Sequence, residues 1–374
     1  MNLWYISNSL LPSERANGVN IVKMCEGFAA NGHQVTLVLP SHHRVTNEES
    51  IFTFYNVKTN FRILPINLKN KAGWLYLFAL KAFQLLNKNN NEIDIIVSRF
   101  PLALMLCTQL KKPLVIDIHG KIWEAGFINS FCINKLCKTP FLKKISFNTE
   151  RLKQLFQSKY ENKQLKSIAL EAHANGAEIP LFSSSFILKG NHPVNIGYIG
   201  SLHSGRGIEI IVQLAHRLSD FGFHLAGGPE LQKLEISKSA PKNLYLYGHL
   251  PFQQTTSFRA ACSLLLAPYQ SSVKVPSGEQ TADYMSPIKL FEYMSSRRPM
   301  IVSDLPSIRA VIKENVAIFC KQDDINDWQQ AIGNLLSQPQ ETIKMVDNAY
   351  AEFLNNFTWE KRAENVLKNI EFYS

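Results

Sequence analysis

Short apolar runs alternate with helical patterns along the first part of the chain. Leu3–Ile6 and Val35–Pro40 are apolar runs of strand length, and apolar positions from 19 to 29 fall on one side of a helix between them. Strand, glycine-containing loop, helix and strand form a βαβ unit, which implies a parallel sheet. The loop places Gly18 at a helix N-terminus, where a glycine lets backbone approach a ligand closely, although a tight turn explains one glycine equally well.

The same alternation continues and predicts an α/β protein. Further strands are predicted at Asp94–Val97, Pro113–Ile118, Ile145–Phe147, Val194–Ile199, Phe223–Ala226, Leu244–Tyr247, Leu264–Ala267, Met300–Ser303 and Ala317–Cys320. Helical patterns lie between most of them and fill the tail, at Asp324–Leu336, at Glu341–Phe353 and after Thr358. The polar stretch Glu178–His192 separates two such series and is the best candidate for a linker. We therefore predict two doubly wound Rossmann-like domains facing a central cleft, residues 1–180 and 181–355, with a C-terminal helix in residues 356–374.

One helical stretch, Lys69–Lys88, is apolar on most of its faces and has lysines at both ends. A helix that lies in a membrane interface has such aromatic residues and flanking lysines. A buried crossover helix has nearly the same pattern. We favour the buried helix, so this stretch is predicted to belong to the core.

The formal net charge of +10 is distributed unevenly along the 374 residues. Residues 1–180 hold 22 lysines and arginines against 12 acidic residues, whereas residues 181–374 hold 18 of each. An anionic membrane surface, nucleic acid or simple solubility could each explain a basic first half. The basic residues are dispersed and carry no nucleic-acid signature, so we predict no nucleic-acid partner.

The composition is that of a globular protein and points to the cytoplasm. The six cysteines are scattered, without metal-ligand or disulfide spacing, which fits a reducing compartment. No apolar run reaches the roughly 20 residues that span a bilayer, and the first residues do not predict a signal peptide. We expect a cytoplasmic protein, with the inner face of the plasma membrane as a further location if the basic half contacts lipid.

The stretch Ser286–Met294 predicts a helix whose start could hold an anion. Ser286 suits an N-cap and Pro287 the first helical position, and no carboxylate occupies the first turn. The N–H groups there would be left for a phosphate, with Lys289 adding a charge and Glu292 able to bind hydroxyls. A capped amphipathic helix that packs on the core explains the same residues equally well.

Two other positions follow predicted strands. Arg206 lies in the glycine-rich loop Gly200–Gly207, where it could pair with a phosphate, or it is a surface arginine on an ordinary turn. His119 follows the strand Pro113–Ile118, and ligands of open α/β sheets bind beyond the carboxyl ends of strands. The alternative is a histidine that a neighbouring loop satisfies.

Four stretches in this order resemble the retaining glycosyltransferases of family 4, which have the GT-B fold. They are Asn175-Gly176, Gly197–Leu202 with Arg206-Gly207, Ser286–Met294 and Phe357–Glu360. The resemblance covers nearly the whole chain and implies that the first domain binds the acceptor and the second a nucleotide-sugar. It also implies that the last helix crosses back to the first domain.

The resemblance implies roles for particular residues. Arg206 would neutralise charge on the leaving nucleoside diphosphate, and Glu292 would hold ribose hydroxyls. His119 would lie near the transferred sugar and the acceptor hydroxyl, which makes His119 and Arg206 the candidate catalytic residues. The implied donor-binding set is Gly18, Gly200, Ser201, Arg206, Ser286, Ile288, Lys289, Leu290 and Glu292.

The chain departs from the family pattern at two positions. Tyr284 stands where the family often has a second glutamate that contacts the transferred sugar, and Glu279 or Asp283 could replace that glutamate. Ser201 stands where an arginine often follows the first glycine of the loop. Sugar recognition is therefore expected to differ from that of the family.

We predict a retaining glycosyltransferase that moves a sugar from a UDP- or GDP-linked donor to a hydroxyl of a lipid-linked glycan in cell-surface polysaccharide synthesis. Peripheral contact with an anionic membrane is expected. No Asp-x-Asp motif occurs, so we predict no metal and no cofactor besides the nucleotide-sugar substrate. The alternatives are a non-catalytic GT-B scaffold, which Tyr284 and Ser201 would suit, and a GT-B sugar-nucleotide epimerase.

Overall fold

The computed structural model describes residues 1–13, 15–42, 48–161, 165, 167–180, 185–272, 283–284 and 286–370. The chain divides into two compact units, residues 1–175 with 359–374 and residues 176–358. Each unit is a parallel sheet with helices between its strands, which confirms the prediction of two doubly wound α/β domains. The linker prediction includes residues 181–184, which lie outside the described residues.

The units divide at 175/176 and 358/359, whereas the sequence predicts boundaries at 180/181 and 355/356. Asn175 accepts a hydrogen bond from the Asn20 side chain at 2.7 Å, so it is tied to the first unit. Two residues later, the Ala177 N–H donates to the Phe357 carbonyl at 2.8 Å, and Ala177 forms a parallel bridge with Thr358. The chain therefore changes unit at Gly176, before the polar stretch begins.

The first unit has a seven-stranded parallel sheet in the order β3-β2-β1-β4-β5-β6-β7. Its elements are β1 (Asn2–Ile6), α1 (Ala16–Ala30), β2 (Gln34–Ser41), α2 (Glu48–Tyr55), β3 (Arg62–Asn67), α3 (Trp74–Lys88), β4 (Ile95–Ser98), α4 (Pro101–Cys107), β5 (Leu114–Ile118), α5 (Phe127–Leu136), β6 (Leu142–Phe147), α6 (Glu150–Lys159) and β7 (Ala169–Ala172). Short 3-10 turns cover Asn90–Glu92 and Thr108–Leu110.

The second unit has a six-stranded parallel sheet in the order β10-β9-β8-β11-β12-β13. Its elements are β8 (Asn195–Ile199), α7 (Ile208–Arg217), β9 (Gly222–Ala226), α8 (Glu230–Ser237), β10 (Leu244–Gly248), α9 (Phe252–Ala261), β11 (Leu264–Ala267), α10 (Ile288–Ser295), β12 (Met300–Ser303), α11 (Pro306–Arg309), β13 (Ile318–Cys320), α12 (Ile325–Ser337) and α13 (Pro339–Asn356). Since β8 and β11 are neighbours, the strand order reverses between them, and ligands of such sheets bind beyond the carboxyl ends at that point.

The last helix, α14 (Trp359–Leu367), belongs to the first unit and packs on α1. Gly27 permits this contact, since an added Cβ would lie 2.7 Å from the Trp359 carbonyl oxygen. Beyond the helix, the buried Lys144 ammonium donates to the carbonyls of Lys368 at 2.6 Å and Asn365 at 3.1 Å. A cation at a helix C-terminus satisfies carbonyls that have no partner within the helix.

Helix α3 corrects the prediction for Lys69–Lys88. It begins at Trp74 and buries only one side, formed by Phe78, Ala79, Ala82 and Leu86. Tyr76, Leu77 and Leu80 are exposed, so the favoured interpretation of a helix buried on most faces is wrong. The three- and four-residue spacing of the buried side chains shows that one stripe contacts the sheet and α4, while the other apolar residues face outward. Among the described residues, no helix is long and apolar enough to cross a bilayer.

Candidate active site

Helix α10 starts beside the point where β8 and β11 meet. The Tyr293 hydroxyl accepts from the Ile199 N–H at 3.1 Å and donates to the Leu266 carbonyl at 3.2 Å. One buried phenol thus ties α10 to the carboxyl ends of both strands. The start of α10 therefore lies at the reversal of strand order, where a ligand site is expected.

The helix begins at Ile288, so the predicted capping pattern is wrong by one residue. Pro287 occupies the N-cap with a non-helical backbone, and Ser286 precedes it. The Ile288 N–H donates to the Ser286 carbonyl at 3.0 Å, and the Leu290 N–H donates to the Pro287 carbonyl at 2.9 Å. As predicted, no acidic residue lies in the first turn. Because these two N–H groups have backbone partners, an anion here would depend first on side chains.

The Lys289 ammonium lies inside the unit against aromatic rings. Only 9% of the residue is exposed, and its Nζ lies 3.6 Å from the ring centroid of Tyr198 and 5.0 Å from that of Tyr269. Burial lowers the pKa of Lys289 well below its usual range, Arg206 adds to this effect, and Glu292 opposes it. The ring faces stabilise the cation in part, although they cannot replace a counterion.

A second cation shares the Tyr269 ring. The Arg206 guanidinium lies 5.3 Å from the centroid of that ring, and its buried Nε has no hydrogen-bond acceptor among the described residues. Arg206 and Lys289 therefore form a pair of like charges near the ring of one tyrosine. An anion that reached both would gain charge-assisted hydrogen bonds and relieve their repulsion.

The loop between β8 and α7, which carries Arg206, also contacts Lys289. Gly200 has a φ of +144°, and an added Cβ would lie 2.8 Å from the Cε of Lys289. The Tyr198 hydroxyl donates to the Ser201 carbonyl at 2.6 Å, which holds the loop against the same ring that contacts Lys289. A glycine is favoured at position 200 because a φ of +144° is a backbone conformation that other residues rarely adopt.

Glu292 lies one turn further along α10 and keeps 34% of its side chain exposed. The buried Arg259 of α9 places Nη1 3.6 Å from the Glu292 Oε2. This contact orients the carboxylate while leaving it accessible. Arg259 carries no local sequence signal, because it is one cation on an otherwise ordinary helix.

Tyr284, the departure from the family pattern, is buried and only 3% exposed. It therefore has a packing role in this unit. Asp283 is exposed beside it, whereas Glu279, the other candidate replacement, lies outside the described residues.

In the first unit, His119 belongs to a buried ionic cluster at the carboxyl end of β5. Its Nε2 lies 2.8 Å from the Asp117 Oδ2, and the Arg362 Nη2 lies 3.0 Å from the Asp117 Oδ1. Burial lowers the pKa of His119 to about 3, with Arg99 adding to the effect and Asp117 opposing it. Burial alone would raise the pKa of Asp117, but Arg362, His119 and Arg99 hold it well below its usual range.

These contacts assign the proton of His119. A carboxylate only accepts and a guanidinium only donates, so the 2.8 Å contact with Asp117 requires the hydrogen on Nε2. The Arg362 Nη2 at 3.0 Å from Nε2 is then held by Asp117 and not by the imidazole. Neutral His119 has its lone pair on Nδ1, where it can accept a hydrogen bond from a hydroxyl group but has no proton to donate.

Gly18 lies in the first turn of α1, which agrees with its predicted place at a helix N-terminus, although the helix begins two residues earlier, at Ala16. An added Cβ would lie 2.5 Å from the Tyr55 hydroxyl oxygen. That hydroxyl donates to the Ser13 carbonyl at 2.8 Å and accepts from the Ser13 N–H at 2.7 Å. Packing of Tyr55 against the loop is therefore sufficient to require a glycine here.

Comparison with known proteins identifies the fold and the class. The structure of Anabaena HepE in complex with UDP matches with a TM-score of 0.69 over 98% of each chain, at 14% identity. Residues 18–166 match the family described as Glycosyltransferase Family 4, and residues 193–338 match the family described as Glycosyl transferases group 1. The chain is a group 1 glycosyltransferase with the GT-B fold.

Relatives of known sequence agree with this assignment. The glycosyltransferase is 24% identical over 320 residues to an uncharacterized glycosyltransferase of Methanocaldococcus jannaschii, covering 82% of this chain and 83% of the relative. It is also 24% identical over 173 residues to TuaH of Bacillus subtilis, a glycosyltransferase named for teichuronic acid biosynthesis. This match covers 44% of this chain and 42% of TuaH.

The glycosyltransferase brings part of the predicted site together. Gly200, Ser201, Arg206 and Lys289 surround the Tyr198 and Tyr269 rings, with Glu292 one turn away, all within the second unit. Gly18 and His119 belong to the first unit. Sequence reasoning missed Arg259, Tyr198, Tyr269 and Arg362, although Arg362 lies just after the tail stretch Phe357–Glu360. Within the described residues, no group of three or more histidine, cysteine or carboxylate side chains could hold a metal ion.

Proposed function

We propose that this glycosyltransferase is a retaining family 4 enzyme. It moves a sugar from a UDP- or GDP-linked donor to a hydroxyl of a lipid-linked glycan in cell-surface polysaccharide synthesis. The observation that carries the donor assignment is the pair Arg206 and Lys289, two cations on the Tyr269 ring at the reversal point of the second sheet. The similarity to TuaH supports the polysaccharide part of the proposal.

The diphosphate of the donor binds between Arg206 and Lys289. The charge that develops on the departing nucleoside diphosphate then meets two cations already in place, and preorganised charge of this kind is the main source of catalysis when a phosphate leaves. Gly200 lets the loop backbone approach the same phosphate. Ser286, Ile288 and Leu290 contribute as the start of α10 adjusts around the anion.

Glu292 holds the ribose. Its carboxylate is partly exposed, and a carboxylate can accept from both ribose hydroxyls. Arg259 keeps this carboxylate in place from the buried side. These contacts reach the diphosphate and the ribose, so binding experiments with UDP and GDP are needed to identify the base.

The first unit receives the acceptor. His119 accepts a hydrogen bond at Nδ1 from a hydroxyl of the acceptor or the transferred sugar. Retention proceeds without a protein nucleophile, and the reaction uses no metal or added cofactor. The enzyme works at the cytoplasmic side of a membrane in peripheral contact with anionic lipid, consistent with the basic charge of residues 1–180.

Titration calorimetry with UDP, GDP and inorganic pyrophosphate separates the two halves of the donor site. We expect Glu292→Gln to weaken nucleoside diphosphate binding by about 10- to 100-fold, the loss of charge-assisted hydrogen bonds, without changing pyrophosphate binding. Arg206→Ala should weaken both ligands. Glu341→Gln, an exposed carboxylate on α13, is the matched control and should change neither.

Several outcomes would contradict the proposal. Unchanged UDP and GDP affinity in Glu292→Gln removes the ribose assignment. A native protein that binds no nucleoside diphosphate is a scaffold and not this enzyme. Release of a free epimerised sugar identifies the epimerase, and an inverted anomer in the product, seen by NMR, excludes the retaining reaction.

A further inference from the structure

Three helices lie side by side on one face of the first sheet. Helix α3 packs on α4, and α4 packs on α5. Each follows a strand of the same parallel sheet, so their N-terminal halves all lie at its carboxyl edge. His119 follows β5 at that same edge.

The N-terminal halves of α3 and α5 expose large apolar side chains. Tyr76, Leu77 and Leu80 of α3 are 52%, 45% and 45% exposed, and Phe127 and Phe131 of α5 are 83% and 45% exposed. With Ile128, also on α5, they make up six of the fifteen exposed large apolar residues in the described chain and include all of the aromatic ones. We name these six residues the apolar face.

Helix α4 continues this surface between the other two helices. Its Ala103, Leu104 and Cys107 are buried against the sheet, whereas Leu102 and Met105 are half-buried. The first turn of α4, between α3 and α5, therefore adds no strongly polar side chain to this surface. Large continuous apolar surfaces with polar rims mark sites of contact with a partner or a membrane.

The charged residues of the two segments that carry the apolar face are nearly all positive. The stretches 69–88 and 121–138 hold seven lysines, and Glu124 is their one acidic residue. The Lys135 Nζ lies 5.6 Å from the Phe131 ring centroid, so cation and aromatic ring are presented together. By contrast, α14 on the opposite side of the sheet carries both signs of charge.

This combination of apolar and basic residues favours an anionic bilayer over a second copy of the chain as the partner of the apolar face. In a two-fold dimer each patch meets itself, so the lysines of one copy would face those of the other. An anionic bilayer offers a hydrocarbon boundary for the aromatic rings and negative headgroups for the lysines.

We propose that the apolar face docks on an anionic lipid bilayer and brings the carboxyl edge of the first sheet, with His119, to the membrane surface. This deepens the membrane contact proposed above by naming the surface that makes it. It rests on that contact alone and does not depend on the transfer reaction. A glycan on a lipid carrier would then be presented to the edge where the acceptor is proposed to bind.

Co-sedimentation of the purified chain with vesicles tests the docking. We expect binding to phosphatidylcholine vesicles that contain about one third phosphatidylglycerol, and at least about tenfold weaker binding to phosphatidylcholine alone. Binding should also decrease when salt rises from about 0.1 to 1 M, which shortens the screening length from about 10 to 3 Å. Equal binding to both vesicle types, or none to the anionic ones, overturns the proposal.

Variants locate the surface. Phe127→Ser with Phe131→Ser should weaken binding to anionic vesicles by at least about tenfold, because two exposed rings lose their contact with the acyl boundary. Lys135→Gln with Lys138→Gln should weaken it by about tenfold. Leu231→Ser with Leu234→Ser, equally exposed leucines on α8, is the matched control and should leave binding unchanged.

Two further measurements keep the outcomes distinct. Nucleoside diphosphate titration of each variant should match the native protein, so a failure of docking is distinguished from a failure of the donor site. Light scattering reports the oligomeric state. If the native chain is a dimer that the phenylalanine double variant dissociates, or if that variant still binds vesicles normally, the apolar face is not the lipid surface.

Discussion

The carboxyl edges of the two sheets each hold buried cations, but they hold them differently. In the first unit, Arg362 makes paired contacts with Asp117 at 3.0 and 3.3 Å. In the second unit, Lys289 lies under aromatic rings and pairs with no carboxylate among the described residues. A buried cation with its counterion joins two elements, whereas a buried cation without one destabilises the free protein.

This difference indicates that the cluster in the first unit is structural and that the cluster in the second unit is a candidate ligand site. Asp117 lies near the end of β5 and Arg362 lies on α14, so their ion pair attaches the C-terminal helix to the sheet. Among the described residues, no carboxylate pairs with Lys289 or Arg206, and each of the two cations contacts tyrosine rings. Proteins retain destabilising groups of this kind at sites of function, where a bound ligand supplies the missing interaction.

Removing the counterion in the first unit should have the largest effect. Arg362→Met leaves the buried Asp117 without its guanidinium partner, and breaking a buried pair in this way costs about 3–5 kcal/mol of unfolding free energy. Denaturant unfolding of the variant measures it. The double variant Asp117→Asn with Arg362→Met, which removes both charges of the pair, should recover part of the loss.

The neighbouring Lys361 provides the control for this prediction. It lies on the same helix in an exposed pair with Glu364 at 2.9 Å, so Lys361→Met should change stability little. If Arg362→Met and Lys361→Met behave alike, the buried pair does not attach α14 to the sheet.

The same contrast explains what the sequence could predict. Apolar periodicity was sufficient for most strands and helices, because buried stripes leave a local pattern. It missed α2, β3, α5 and β7, whose burial is mixed and whose limits are set by packing against neighbours. The glycines and Lys289 follow from the loop and helix pattern, since backbone demands are local. The pairing of Asp117 with Arg362 spans 245 residues, and tertiary contacts of that length leave no spacing to detect.

Helix α3 shows the same limit from another side. Its composition is apolar on most faces, and composition alone cannot tell a buried face from one that is exposed. The structure buries Phe78 and Leu86 and exposes Tyr76 and Leu80. Which stripe contacts the sheet depends on the position of α4, which the local sequence of α3 does not contain.

Removing the cation of the second unit should have the opposite sign. Lys289→Met is expected to stabilise the free protein by about 1–2 kcal/mol, because a desolvated charge is replaced by an apolar chain of similar length. A hundredfold excess of UDP or GDP over its Kd should stabilise the native protein by about 2.7 kcal/mol, and the variant should lose most of that gain. Thermal unfolding with and without nucleotide measures both effects.

Lys289→Arg is the control, because it keeps the charge at the same position. It should retain more of the nucleotide-dependent stabilisation than Lys289→Met. A Lys289→Met protein that is less stable than the native one, yet fully stabilised by nucleotide, would show that Lys289 is a packing residue and not the partner of the diphosphate.

Measured per pH unit, the smallest effect concerns the proton balance of the first cluster. Folding lowers the pKa of His119 to about 3 from its ordinary value of 6.5. Between these values the unfolded chain binds a proton that the folded protein does not, so stability is fully present above pH 6.5 and decreases as pH falls towards 3. His119 alone contributes a slope of up to about 1.4 kcal/mol per pH unit in that window.

His119→Gln, whose amide can still donate to Asp117, should reduce the slope by this amount in unfolding experiments between pH 6.5 and 4. His173→Gln should reduce it in the same sense, because burial lowers the pKa of His173 to about 4. An unchanged slope in His119→Gln would mean that the folded protein accepts the proton, and His119 could then donate it to a substrate and not only accept a hydrogen bond.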